Sequence, residues 1–157
     1  SKTPGRTQLI NFFEVVSGHY LVDLPGYGFA KVPLAVKEKW QLELGKYLCE
    51  REALAGLVVL SDIRHPMKDF DKQMVSWSIQ SKLPVLLLLT KSDKLKRGAA
   101  HNMLHEVQKQ TRDKALVRVE LFSARSGAGI ELARDQLSQW FSNETANSGK
   151  LIQIGRQ

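Results

Sequence analysis

One cysteine, Cys49, is the whole thiol inventory of the 157 residues. That excludes an internal disulfide and any cysteine-based zinc site, and it suits a reducing compartment. Long apolar runs are missing too. The strongest uninterrupted block, Val85–Leu89, is far shorter than the roughly 20 residues that cross a bilayer. No signal peptide precedes Ser1, so a soluble, cytoplasmic protein without a membrane span is expected. No segment repeats, and no linker divides the chain. Acidic residues are the minority, 16 against 23 Lys and Arg, which leaves a net charge of +7. A field of that sign favours an anionic partner, nucleic acid before acidic membrane.

What is present is the material of one globular domain. With 43% hydrophobic and 25% charged residues, the chain can bury a true core without disulfide staples, and disorder is not expected away from its ends. The opening stretch Ser1–Thr7 has no periodicity, and its Pro4 and Gly5 mark a loop. Leu9–Val16 and His19–Leu24 read as two strands joined by Ser17-Gly18, an antiparallel hairpin. Pro33 suits the first turn of a helix. Val36, Trp40, Leu44, Tyr47 and Leu48 continue that helix at helical spacing to about Ala55-Gly56, with Cys49 on it. Gly56–Ile63 and Leu83–Leu89 are apolar blocks of the kind that form parallel strands buried on both faces. Between them Phe70, Met74 and Trp77 mark the inner stripe of a helix. A second helix follows from about Ala99 to Thr111, with Met103, Leu104 and Val107 inward. The strand Val117–Phe122 comes next, and then a last helix carrying Ile130, Ala133, Leu137, Trp140 and Phe141. Strands alternating with helices at this spacing predict an α/β fold, a mostly parallel sheet with one antiparallel edge strand.

Three strand ends carry distinctive polar groups. Tyr20–Gly28 reads Tyr-Leu-Val-Asp-Leu-Pro-Gly-Tyr-Gly, a strand that stops on an acid and turns through proline and glycine. Asp23 would stand at the carboxyl end of that strand, where open α/β sheets place their ligand crevice. A carboxylate there is a hard oxygen ligand suited to magnesium, directly or through water, and Gly26 lets a bare backbone N–H approach an anion. The other two ends are Thr90-Lys91-Ser92-Asp93 and Ser123-Ala124-Arg125.

Thr-Lys-x-Asp, followed some thirty positions later by Ser-Ala after a strand, resembles the guanine-recognition pair of the translation-factor-related GTPases. The resemblance implies that Asp93 accepts from the ring N1–H and the exocyclic amine of guanine; adenine offers neither. Lys91 would lay its aliphatic stem along the base, the Ala124 N–H would donate to the guanine carbonyl, and Ser123 would orient Asp93. Thr90 would brace the loop where an Asn is usual.

A narrower likeness runs from Lys2 to about Phe141. Pro-Gly-Arg-Thr-Gln-x-Ile-Asn-Phe-Phe at 4–13, Asp-Leu-Pro-Gly-Tyr-Gly at 23–28 and Asp-Ile-Arg-His-Pro at 62–66 together resemble the EngB family of bacterial GTPases. That likeness implies a three-layer, P-loop NTPase-like fold of the small G protein type, with residues 1–142 as the G domain and 143–157 as a polar C-terminal tail. It implies GTP or GDP as ligand with Mg2+ as cofactor. Thr7 would close on the metal and the γ-phosphate, Asp23 would hold the same metal through water, and the Gly26 N–H would sense the γ-phosphate. It further implies a role in large ribosomal subunit assembly and in cell division and septation, with the large subunit or its rRNA as partner. Lys94, Lys96, Arg97, Arg112, Lys114 and Arg118 are the candidate phosphate contacts. Tyr27 stands after Asp-x-x-Gly, where many GTPases carry a water-orienting glutamine, so slow intrinsic hydrolysis is expected, raised by a partner or a monovalent cation. No catalytic residue is assigned.

One element of such a GTPase is absent from the 157 residues: no Gly-x-x-x-x-Gly-Lys-Ser/Thr phosphate loop occurs, and no strand and helix flank one ahead of Thr7. The missing strand would lie between those of His19–Leu24 and Gly56–Ile63, leaving two buried edges. The expectation is a truncated or cleaved form of a longer GTPase, lacking its first strand, phosphate loop and first helix. Alternatively another segment fills the gap, such as Leu151–Ile154, which alternates apolar and polar. A non-catalytic RNA- or protein-binding module on a G-domain fold is the competing expectation. Asp62, Arg64 and His65 read as a structural or partner-facing loop. His101 and His105, four apart on a helix, form no convincing metal set.

Overall fold

A computed structural model describes residues 11–16, 19–23, 34–35, 38–39, 42, 54–142 and 151–156. Strands β1 (Asn11–Val16) and β2 (His19–Asp23) pair antiparallel, Phe12 against Val22 and Phe13 against Leu21. Residues 34–35, 38–39 and 42 are helical, with Leu34 and Leu42 exposed. The apolar positions expected on the inner face of that helix lie outside the described residues. There follow β3 (Leu54–Asp62), α1 (Asp69–Gln80), β4 (Val85–Thr90), α2 (Arg97–Gln110), β5 (Val117–Leu121), α3 (Ile130–Ser142) and β6 (Leu151–Arg156). The sheet runs β1-β2-β6-β3-β4-β5, and every pairing except β1 with β2 is parallel. This is the expected α/β sheet with one antiparallel edge strand.

The two central strands show why the sheet must be covered on both sides. Successive strand residues point to opposite faces. Leu57 and Val59 of β3, with Val85, Leu87 and Leu89 of β4, share a buried cluster with Phe70, Met74 and Val75 of α1 and Ala100 and Val107 of α2. Val58, Leu86 and Leu88 point the other way and pack on Trp140 of α3. Consecutive apolar runs are therefore two cores read alternately, and three layers result. Gly56 belongs to this logic: a Cβ there would overlap the Trp140 ring. The helix stripes fall where periodicity puts them, with Met74 and Val107 buried and Trp77, Met103 and Leu104 packed against the same cluster.

One boundary differs from expectation, and one alternative is borne out. The helix expected to run to Ala55-Gly56 cannot do so, because β3 already begins at Leu54, paired with Leu151. Ala-Gly there imitates a helix end locally, but pairing with a segment almost a hundred positions away decides the matter. The alternative that Leu151–Ile154 fills the gap is borne out: within the segment read above as a polar tail, Leu151–Arg156 forms β6, which lies between β2 and β3 with Leu21 and Gly56 both opposite Ile152. That is the slot given above to a strand ahead of Thr7. With β6 there, the inner edges of β2 and β3 are both paired, removing the exposed-edge problem.

Candidate nucleotide-binding site

Parallel strands bring their carboxyl ends to one rim. β2 ends at Asp23, β3 at Asp62, β4 at Thr90, and β5 leads through Phe122 to Ser123. Asp62 is in register with Thr90, so the two central strands finish level. At the exit of β4 the chain turns through Lys91, whose φ of 57° is left-handed, an uncommon state for a residue with a side chain, into a short 3-10 turn at Ser92–Lys94. Main-chain bonds hold that turn. The Lys94 N–H donates to the Lys91 carbonyl at 2.9 Å, and the buried Ser92 donates its N–H to the Phe122 carbonyl at 3.1 Å. The loop after β4 is thus stitched to the exit of β5.

Across that stitch, Ser123 meets Asp93. Ser123 is fully buried. Its Oγ accepts from the Ser126 N–H at 3.1 Å and donates to Asp93 Oδ1 at 2.7 Å. Its own N–H and carbonyl are taken by Ala128 and Gly127, so the hydroxyl is locked in place. The Asp93 carboxyl is held below its ordinary range, first by the Ser123 hydroxyl and then by its own backbone N–H, Lys94 and Arg125, against an opposing desolvation. An ionised carboxylate has about four lone-pair sites, so one bond from Ser123 leaves capacity for two neighbouring donors. Ala124 is exposed at the turn. Gly129, at φ +78°, packs against the Leu121 carbonyl so closely that a Cβ would overlap it, and lets α3 start beneath this turn. Thr90 joins through its main chain, its carbonyl accepting from the Ile63 N–H at 3.0 Å.

A fourth strand end joins this group. Asp62 Oδ1 accepts from the Arg64 N–H at 2.9 Å and from Arg64 Nε at 3.0 Å, while Oδ2 receives Arg64 Nη2 at 2.7 Å. Lys91 Nζ lies 3.4 Å from Oδ2. Arg64, followed by the backbone bond and Lys91, holds the Asp62 carboxyl well below the usual carboxylate range despite some desolvation. Sequence reading placed Asp62 in a loop without chemistry. The signal it missed is the register, since two level strand ends put Asp62 beside the residue that follows Thr90.

The remaining candidates divide. Asp23 is the last residue of β2, opposite Ile154 of β6, which pairs in turn with Val58 of β3, so β2 ends on the same carboxyl side of the sheet but four positions short of Asp62. Thr7, Gly26 and Tyr27 lie outside the described residues. Lys94, Lys96, Arg97 and Arg112 are exposed, whereas Lys114 sits 3.4 Å from Asp113 and Arg118 reaches Glu120 at 3.1 Å and Gln136 at 3.2 Å. His65, His101 and His105 are exposed. Among the described residues no group of three His, Cys, Asp or Glu could hold a metal, and no helix is long and apolar enough to cross a membrane.

The profile of a family described as 50S ribosome-binding GTPase matches residues 1–91. A probable GTP-binding protein EngB of Photobacterium profundum is 58% identical over 145 residues, covering 92% of this chain and 62% of that protein. Its counterpart in Psychromonas ingrahamii is 52% identical over 155 residues, covering 98% of this chain and 71% of that protein. The chain belongs to the EngB family. It spans less than two thirds of the Photobacterium relative's length. In three dimensions it is similar to the elongation factor SelB of Methanococcus maripaludis solved with the GTP analogue GppNHp, at a TM-score of 0.60 and 12% identity over 88% of this chain and 29% of that one. At that identity the likeness speaks for the G-domain fold alone. Within an EngB fold, Asp93 and Ser123 stand on the loops after two adjacent parallel strands, β4 and β5.

Proposed function

We propose that the protein binds guanine nucleotides at the rim over β3, β4 and β5, as the base-recognising part of a magnesium-dependent GTPase. The observation that carries this reading is the Ser123 to Asp93 hydrogen bond, which presents an ionised carboxylate in a fixed orientation. Such a carboxylate accepts from the N1–H and the amine of guanine together. Against adenine it meets an unprotonated ring nitrogen and no amine, and sites that hydrogen-bond their substrate reject analogues without the donors by roughly four to five powers of ten. Lys91 lays its stem along the base, and the Ala124 N–H donates to the guanine carbonyl. On the phosphate side, Asp23 is a single hard-oxygen donor at a strand end, the kind of ligand that magnesium takes with its remaining waters. Thr7 and the Gly26 N–H complete that side. Magnesium, when bound, neutralises phosphate charge. With Tyr27 in the place of a water-orienting glutamine, turnover is slow until a partner or a monovalent cation assists.

The family description and the positive charge support a large ribosomal subunit or rRNA partner; a cytoplasmic location and a role in cell division and septation rest on the EngB resemblance. A second reading, a binding module without hydrolysis, is favoured by the absence of a phosphate-loop motif in these residues and by β6 in the central slot. Titration with fluorescent GDP, GTP and ATP in magnesium separates the possibilities. Guanine-selective binding with slow GTP turnover supports the GTPase, and selective binding without turnover supports the module. Equal affinity for GTP and ATP sinks both the base assignment and the GTPase reading.

A further inference from the structure

We propose that Asp62 is a positioning residue for base recognition: it anchors the Lys91 ammonium so that the lysine stem is already in place when a guanine base arrives. The inference rests on the guanine reading above and adds to it a residue from a different strand. Three bonds from Arg64, one from its backbone and two from its guanidinium, fix both oxygens of the Asp62 carboxylate. All three come from a residue two positions away, so the carboxylate is oriented by its own loop. Its side chain is 18% exposed, against 44% for Arg64 and 58% for Lys91, making it the fixed member of the trio. Lys91 approaches from the other strand, 29 positions on, at 3.4 Å.

Lys91 needs such an anchor. A lysine stem has four rotatable carbons and loses considerable rotamer freedom when held. The left-handed backbone at Lys91 sets the direction in which that stem leaves the chain, and the carboxylate then fixes its far end. Exposed ion pairs contribute little to folding, so stability alone gives no reason for this arrangement. A pair that pre-orders a contact surface instead lowers the ordering cost of binding. Arg64 also lies within the electrostatic field of Asp93.

The test is a double-mutant cycle in the full-length protein with fluorescent GDP at low salt. Asp62→Ala is expected to weaken GDP by about two- to fivefold, the range that coupling within an exposed ion pair allows. In a Lys91→Ala background the same change should do nothing further. Asp62→Glu, which keeps the charge at a different reach, should recover part of the loss. The thermal midpoint should stay within about a degree of wild type, since a surface pair adds little to stability. Unchanged affinity in Asp62→Ala, or a loss that persists without Lys91, overturns the proposal, because a merely structural Asp62 would act independently of the lysine. Asp93→Asn run alongside keeps the two readings apart. If Asp93→Asn abolishes guanine preference while Asp62 and Lys91 fail to couple, only this inference falls. If wild type shows no guanine preference, both fall.

Discussion

The rim over β3, β4 and β5 and the rim over β2 and β6 are assembled in opposite ways. The first comes from one continuous stretch, 54–130, in which each strand hands its exit loop to the next: β3 to Asp62, β4 to Lys91 and Asp93, β5 to Ser123. Its polar groups are partnered within the stretch, Ser123 with Asp93 and Arg64 and Lys91 with Asp62. The second rim joins segments far apart in the chain, with residues 20–23 pairing to 151–154. The half proposed to recognise the base can thus form from local strand-helix units, whereas the half holding Asp23 depends on closing a loop of more than a hundred positions. Non-local pairings of that kind form late and are lost easily.

The largest expected effect strikes the first rim. Replacing Asp93 with Asn keeps one acceptor oxygen but turns an amide donor toward the donor amine of guanine. GDP affinity should fall by at least about a hundredfold. Xanthine carries a carbonyl where guanine has that amine, so the same variant should now favour a xanthine nucleotide. Competition titration of GDP against the xanthine analogue reads both changes. An Asp93→Asn protein that still prefers GDP would show that the base is not read here.

The second rim should break at its backbone. Ile152 is in the middle of β6 with strands on either side, and proline there removes a ladder donor from a central strand. Ile152→Pro is expected to cost about 3 kcal/mol of stability, read as a lowered urea midpoint. If the two halves differ as argued, amide exchange should accelerate first in β1, β2 and β6 while β4 and β5 stay protected. Uniform loss of protection would make the sheet one cooperative unit.

The contrast also marks what could be read in the sequence. β4 was legible because five consecutive apolar residues admit little but a doubly covered strand, and α1 because Phe70, Met74 and Trp77 keep helical spacing. The contact between Ser123 and Asp93 was legible because their loops carry a recognisable residue order. The start of β3 was not, since Leu54-Ala55-Gly56 looks like a helix end until Leu151 is known to pair with it. Alternation in four residues suggested a strand at Leu151–Ile154, and the gap left between β2 and β3 suggested its place, which the pairings bear out. Asp62 was overlooked for the same reason as the start of β3: its contact with Lys91 exists only once β3 and β4 are in register.

A smaller effect tests the lock on Asp93. Ser123→Ala removes the bond that does most to keep that carboxyl below its ordinary range and leaves the Ser126 N–H without its acceptor. GDP affinity at neutral pH should drop by about tenfold, the usual consequence of losing a charge-assisted bond. The sign of the pH effect follows from the depressed value. Guanine needs the ionised form, so wild-type binding should persist as the pH falls to about 4, the ordinary carboxylate value, and below it. In the variant the carboxyl protonates at a higher pH than in wild type, so binding should fade at a higher pH than it does in wild type. Identical pH profiles would show that Ser123 does not control the charge.

The smallest effect concerns the partner. Lys96 caps α2 and Arg97 opens it, and its first turn holds no acidic residue. Cations at a helix N-terminus oppose the helix dipole, typically by about 0.3–1 kcal/mol each. Lys96→Glu with Arg97→Glu should therefore stabilise the fold slightly and raise the thermal midpoint. If these side chains contact rRNA phosphates, the same pair of changes should weaken binding and reduce the salt slope by about 0.7–0.9 per lost contact. Sites that sacrifice stability for function behave in this way. Both exposed side chains sit within a few positions of Asp93, so GDP affinity measured on the same variant separates a charge that serves the partner from one that serves the nucleotide. A higher midpoint, unchanged GDP affinity and a shallower salt slope would assign this end of α2 to the partner, whereas an unchanged slope would remove it from the rRNA surface.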